Sequence, residues 1–127
     1  MSLFDSLTPM TSEKNTITLS MSKYGLMFTK TTLEALNFPR YVEVSVDEKK
    51  KLFGIRSAKE ANEHTRNFVK NGRKNSELYV KWNTRDIMTF ISRCMNIDLF
   101  QLDSTIKVAG TFDISDYSIV FYLSRTV

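Results

Sequence analysis

Few side chains in this 127-residue chain could do covalent or acid–base chemistry, and their spacing keeps them apart. His64 is the single histidine and sits in the polar stretch "EANEHTRN", where a surface residue is a simpler reading than a base or a ligand. Cys94 is the single cysteine; it shares a helical face with Met88, Ile91 and Met95, which marks a buried, inert thiol rather than a nucleophile. One His and one Cys cannot build a zinc-type ligand set. Asp113 and Asp116 in "DISD" offer paired carboxylates, but a hairpin turn at this point calls for aspartate anyway. Gly25, Gly54, Gly72 and Gly110 stand alone, so no glycine-rich loop cradles a phosphate. The chain is therefore not expected to be an enzyme, and it calls for no cofactor and no metal.

Binding chemistry is the alternative, and the basic residues carry it. Up to Ser76 there are thirteen Lys/Arg against eight Asp/Glu; from Glu77 onward there are five against six. Positive charge thus belongs to the first half and the segment after it. Arg56, Lys59, Arg66, Lys70, Arg73 and Lys74 form one group, opposed in that stretch only by Glu60 and Glu63. On a helix, Lys59, Arg66 and Lys70 fall along one side, with Glu63 between them. Arg73 and Lys74 extend this line into a loop able to follow a phosphate chain. A solvated connector, basic for solubility, explains the same residues. Lys23, Lys30 and Arg40 form a second group beside Tyr24 and Tyr41, which could add stacking or hydrogen bonds. Ordinary surface charge accounts for these equally well. "KKK" at 49–51 reads as a soluble hairpin tip.

The elements that must position these residues follow from periodicity. Residues 16–21, "TITLSM", alternate as a half-buried strand, and Leu26-Met27-Phe28 resumes an extended run after Tyr24-Gly25. Thr29 or Thr31 can cap a helix over 30–37, with Glu34 at capping-box spacing from Thr31. Asn37 suits its end, and Pro39 forbids its continuation. "YVEVSV", a turn at "DEKKK" and "LFGIR" make a hairpin. Residues 58–70 form at most one weak helix, with Ala58, Ala61, Thr65, Phe68 and Val69 to bury. "NGRKNS" is a loop. Beyond it "LYVKW" is a strand, with Trp82 a core residue. "NTRDIMTFISRCMNI" is a helix capped by Asn83 or Thr84, with Ile87, Met88, Ile91, Cys94 and Met95 on one face. "STIKVAGTF" and "SIVFYLS" close the chain as strands.

The order strand–helix–strand–strand therefore occurs twice, with "VEVSV" opposite "IKVAG" and "LFGIR" opposite "IVFYL". This predicts an α+β fold: a pseudo-repeat of two such units, packed as one compact, β-rich, barrel-like domain. Residues 1–14 are a polar leader, 15–57 the first unit, 58–77 a basic connector and 78–127 the second unit. Neither unit can bury its apolar face alone, so Leu33, Leu36, Val42, Val44 and Ile55 are expected to meet Ile87, Ile91, Val108 and Val120. A content of 42% hydrophobic and 12% aromatic residues suffices for such an interior.

"GLMFTKTTLEALNF" followed by "YVEVSVDEKKKLFGIR" resembles the AbrB/MazE/SpoVT swapped-hairpin barrel family: an apolar strand, a capped helix ending in leucine, then a Val-rich hairpin. The resemblance covers residues 25–57; residues 78–126 match by element order alone. Where the family enters its hairpin through Gly-Asp, this chain has Pro39-Arg40. In that family two chains interleave hairpins into one barrel, one face of which binds DNA or a partner toxin. The resemblance thus implies a prokaryotic or phage origin and a binding face at the strand–helix and helix–hairpin junctions, where Lys23, Lys30 and Arg40 lie.

These readings converge on a small non-enzymatic DNA-binding regulator. The rival is a phage or mobile-element inhibitor that sequesters a host protein or a signalling nucleotide; a second copy of the chain is a further candidate partner. No apolar run is long enough for a membrane span, the leader lacks the basic and apolar regions of a secretory signal, and one cysteine excludes an internal disulfide. A cytoplasmic protein without a membrane partner is expected.

Overall fold

The computed structural model describes residues 17–69 and 79–126. Alternation sets the strands. In β1 (Ile17–Ser22) Leu19 and Met21 are fully buried while Thr18 and Ser20 take the opposite face. β2 (Gly25–Thr29) buries Leu26 and Phe28 and exposes Met27. The hairpin of β3 (Tyr41–Asp47) and β4 (Leu52–Ala58) forms as its alternation requires. Its tip turns through Lys51 at φ 57°, with the Asp47 carboxylate accepting from the Lys50 amide at 3.1 Å. β6 (Tyr79–Trp82), β7 (Ile106–Asp113) and β8 (Ser118–Thr126) complete the second half.

The two described α-helices are short and end alike. α1 (Lys30–Ala35) follows Thr29, and α2 (Arg85–Met95) follows Thr84, without a side-chain capping bond at either threonine. Asn37 and Phe38 then take left-handed angles, the Asn37 amide donating to the Glu34 carbonyl and the Phe38 amide to that of Leu33. Asn96 is left-handed too, and the Asn96 and Ile97 amides donate to Arg93 and Ser92 in the same pattern. This is the Schellman arrangement, in which an asparagine tolerates the left-handed position and the next apolar residue packs back on the helix. Phe38 and Ile97 both lie against the core.

All the described strands join one antiparallel sheet in the order β5-β3-β4-β8-β7-β1-β2-β6, where β5 is Thr65–Asn67. The sheet curls into a half-barrel, so the domain is β-rich α+β. The Trp82 indole N–H donates to the Asn67 carbonyl at 3.1 Å and joins the two edge strands across the open seam. Phe28 stands at the centre of the interior, its ring 5.2 Å from Phe68, 4.8 Å from Trp82 and 6.1 Å from Phe121. Leu33, Leu36, Val42, Ile55, Ile87, Ile91 and Val108 share this one core, and Val44 packs at its margin.

Two expectations are corrected. Val120 does not enter the core: it pairs with Gly54 and Thr111 on the outer face, one residue out of phase with buried Ile119 and Phe121. Residues 58–69 form no helix. Ala58 ends β4, and an Asn62 turn follows in which Asn62 Oδ1 accepts from the His64 amide at 2.7 Å and the Thr65 hydroxyl donates to the Asn62 carbonyl at 3.0 Å. Asparagine and threonine here offer the backbone a local alternative to the helix. The chain then runs beside β3, with Val42 opposite Arg66, which covers the edge that β3 would otherwise expose. Phe68 and Val69 are buried, their amides bonded to the Arg40 and Pro39 carbonyls.

Candidate nucleic-acid interface

The four candidates for chemistry, Asp113, Asp116, His64 and Cys94, do not gather at one site. Cys94 is buried on α2, and burial, the largest influence, raises its thiol pKa above the ordinary value, Glu48 adding to the effect. His64 is exposed beside Glu63. Asp113 accepts from the Ser115 hydroxyl and amide, which lower its pKa, and Asp116 accepts from the Ser118 hydroxyl at 2.6 Å. Among the described residues no three His, Cys, Asp or Glu side chains gather in a metal-binding group, and no helix is long and apolar enough to cross a membrane.

The basic residues divide into two sets. Arg56 on β4 lies 2.9 Å from the Glu43 carboxylate and 3.8 Å from that of Asp116. Arg66 on β5 lies 2.5 Å from Asp86 in the first turn of α2, and its hydrogen bond is the main reason that carboxyl titrates below its ordinary value. Arg93 is bonded to Glu48. Lys59 follows β4 and is exposed, but with no helix there it does not share a face with Arg66. Lys70, Arg73 and Lys74 lie outside the described residues.

Lys23, Lys30 and Arg40 belong to the other set. Each is exposed, and none has a carboxylate within 4.0 Å among the described residues. Lys23 sits in the turn before β2 and Lys30 directly after it, so the strand fixes their separation. Arg40 leads into β3, its guanidinium 5.5 Å from the Tyr41 ring centre. Lys49, Lys50, Lys51, Lys59, Arg85 and Arg125 are also exposed without an ion pair among the described residues. Two lysines that sequence reasoning passed over, however, stand on the outer sheet face, Lys81 next to Tyr24 and Lys107 in one row with Lys81. Lys81 pairs with Met27 across β2 and β6, Met27 with Ser20 across β1 and β2, and Ser20 with Lys107 across β1 and β7. One row of the outer sheet face therefore reads Lys107, Ser20, Met27, Lys81. Lys81 also approaches the Tyr24 ring, at 5.7 Å, as does Lys23 at 5.4 Å.

Lys81 borders a second feature. A groove of about 390 Å³ opens along the seam, lined by Arg40, Asn67, Val80, Lys81 and Trp82 among others. β6 ends the sheet, so its outer backbone edge faces this groove. Cationic side chains and backbone amides on one concave edge suit an anionic, hydrogen-bonding chain. The signal for Lys81 and Tyr79 is present in "LYVKW", where alternation places both on the face opposite Val80 and Trp82.

No protein family, curated protein or solved structure matches the chain.

Proposed function

We propose that this chain is a small, non-enzymatic DNA-binding regulator that holds phosphates on the face built by β2, β6 and the turn before β2. One observation carries this reading. Lys23, Lys30, Arg40, Lys81 and Lys107 are exposed without carboxylate partners among the described residues, whereas Arg56, Arg66 and Arg93 are neutralised by neighbours. A free exposed cation releases condensed counterions when it meets a phosphate; an ion-paired one must first give up its partner. The AbrB-like resemblance of residues 25–57 supports the same side of the molecule, since Lys23, Lys30 and Arg40 flank the junctions of that unit.

The fold is read with it as a pseudo-repeat of β2-α1-β3-β4 and β6-α2-β7-β8. Exchange of the two units preserves most of the strand pairings: β2 pairs with β6, β4 pairs with β8, and β3–β4 and β7–β8 are both hairpins, while the β1–β2 pairing has its counterpart only at the open seam between β5 and β6. β5 flanks β3 as β1 flanks β7. Threonine opens each helix and a left-handed asparagine closes each. In this reading one chain supplies both halves of a barrel that the resembled family builds from two.

Labelled DNA and the purified full chain test the role. Arg40→Gln with Lys81→Gln is expected to weaken binding at 100 mM salt by about tenfold or more, while Arg56→Gln changes it little. Equal losses for both variants would contradict the assignment of the face. Salt-insensitive capture of a protein, with no DNA binding, would favour the inhibitor instead.

A further inference from the structure

The same face carries more exposed ring and thioether than phosphate binding needs. Tyr24 is 65% exposed, Tyr79 54% and Met27 39%. Tyr24 lies beside Lys23 and Lys81, Met27 pairs with Lys81, and Lys107 stands two strands from Met27 in the same row. Tyr79 lies two residues from Lys81 along β6, about 7 Å away on the same face. Tyr24 stands past the other end of the Met27–Lys81 row, in the turn before β2. Aromatic rings interleaved with cations on an open sheet face are what unstacked bases and their phosphates require.

The described helices offer no comparable means of entering a duplex groove. α1 has six residues, and on α2 Arg93 is ion-paired while the Arg85 guanidinium lies 5.0 Å from the centre of the Phe100 ring. The β3–β4 hairpin tip, though rich in lysine, is held to the body: Glu48 binds Arg93, and the Leu123 amide donates to the Lys51 carbonyl at 3.0 Å. Resting on the nucleic-acid reading above, we infer that the preferred ligand is single-stranded nucleic acid, its bases stacked on Tyr24 and Tyr79 and its phosphates met by Lys23, Lys81 and Lys107. In the free protein the Lys23 and Lys81 ammonium groups lie near the Tyr24 ring. A base stacked on the ring outweighs one exposed ammonium contact, so it takes the lysine's place and leaves that charge for the adjoining phosphate.

The test compares a labelled twelve-nucleotide oligothymidine with a twelve-base-pair duplex, by fluorescence anisotropy with the full chain at equal salt. The oligothymidine is expected to bind about tenfold more tightly or better. Tyr24→Leu and Tyr79→Leu should each weaken it by about tenfold, Tyr24→Phe should retain it, and thermal unfolding should confirm that each variant is folded. Duplex binding equal to or tighter than oligothymidine binding would overturn the inference while leaving the nucleic-acid role intact, as would unchanged oligothymidine affinity in both leucine variants. Binding of neither probe would overturn both.

Discussion

At the scale of single residues, the fate of each charge depends on its partner. Asp86 receives the Arg66 guanidinium, and Asp86 Oδ1 accepts from the Ile87 amide at 2.8 Å. Its carboxyl pKa is lowered below 3.8, so the stabilisation is complete above that value and disappears as the pH falls through the lowered one. Both side chains are well exposed, at 38% and 64%, which limits the pair to about 1 kcal/mol or less. Asp86→Asn is therefore expected to cost about that much at pH 7, and the two proteins should converge in strong acid; denaturant titration across pH checks this. A variant equally destabilised at every pH would show that the charge is not the cause. Cys94 should resist thiol reagents in the native state and react on unfolding, because burial both shields it and keeps it protonated. Its burial is legible from its spacing with Met88 and Ile91. The neutralisation of Arg56 is not: Glu43 reaches it only across a hairpin, and Asp116 only once β8 lies beside β4.

At the scale of elements, the turn before β2 sets the position of Tyr24 and Lys23. Gly25 has φ +131°, and a Cβ there would fall 2.3 Å from the Trp82 carbonyl oxygen. Gly25→Ala should cost about 2–4 kcal/mol through backbone strain and separation of β2 from β6, read as a lowered unfolding midpoint. An unchanged midpoint would mean that β6 is not held against this turn. Most elements are legible because their signals are local: alternation in "YVEVSV", the apolar stripe of α2, and Asn37 and Asn96 just past their helices. β5 is not, for its three residues lack a strand pattern and become one only because β3 presents an open edge. The weak helix expected there gives way to the Asn62–Thr65 turn and to pairing with β3, which still bring Phe68 and Val69 into the core.

At the scale of the molecule, one interior serves both halves of the described chain. Leu19 and Phe28 from the first half meet Val80, Trp82, Val108 and Phe121 from the second within a single core. Residues 15–57 expressed alone should therefore show no cooperative unfolding transition, because β2 and β4 lose their partners β6 and β8. A soluble fragment with a sharp thermal transition would contradict this. Residue order makes the shared core legible, but not which cations remain free on its outside, since that depends on the curl of the sheet and on pairs between distant strands.

Phosphate binding by this outer face should appear in the salt dependence of nucleic-acid affinity. The five unpartnered cations of this face predict a plot of log K against log salt with a slope of about −3.5 to −4.5, reduced in magnitude by about one to two in the Arg40→Gln, Lys81→Gln variant. A slope near zero, or one the double substitution leaves unchanged, would contradict the account.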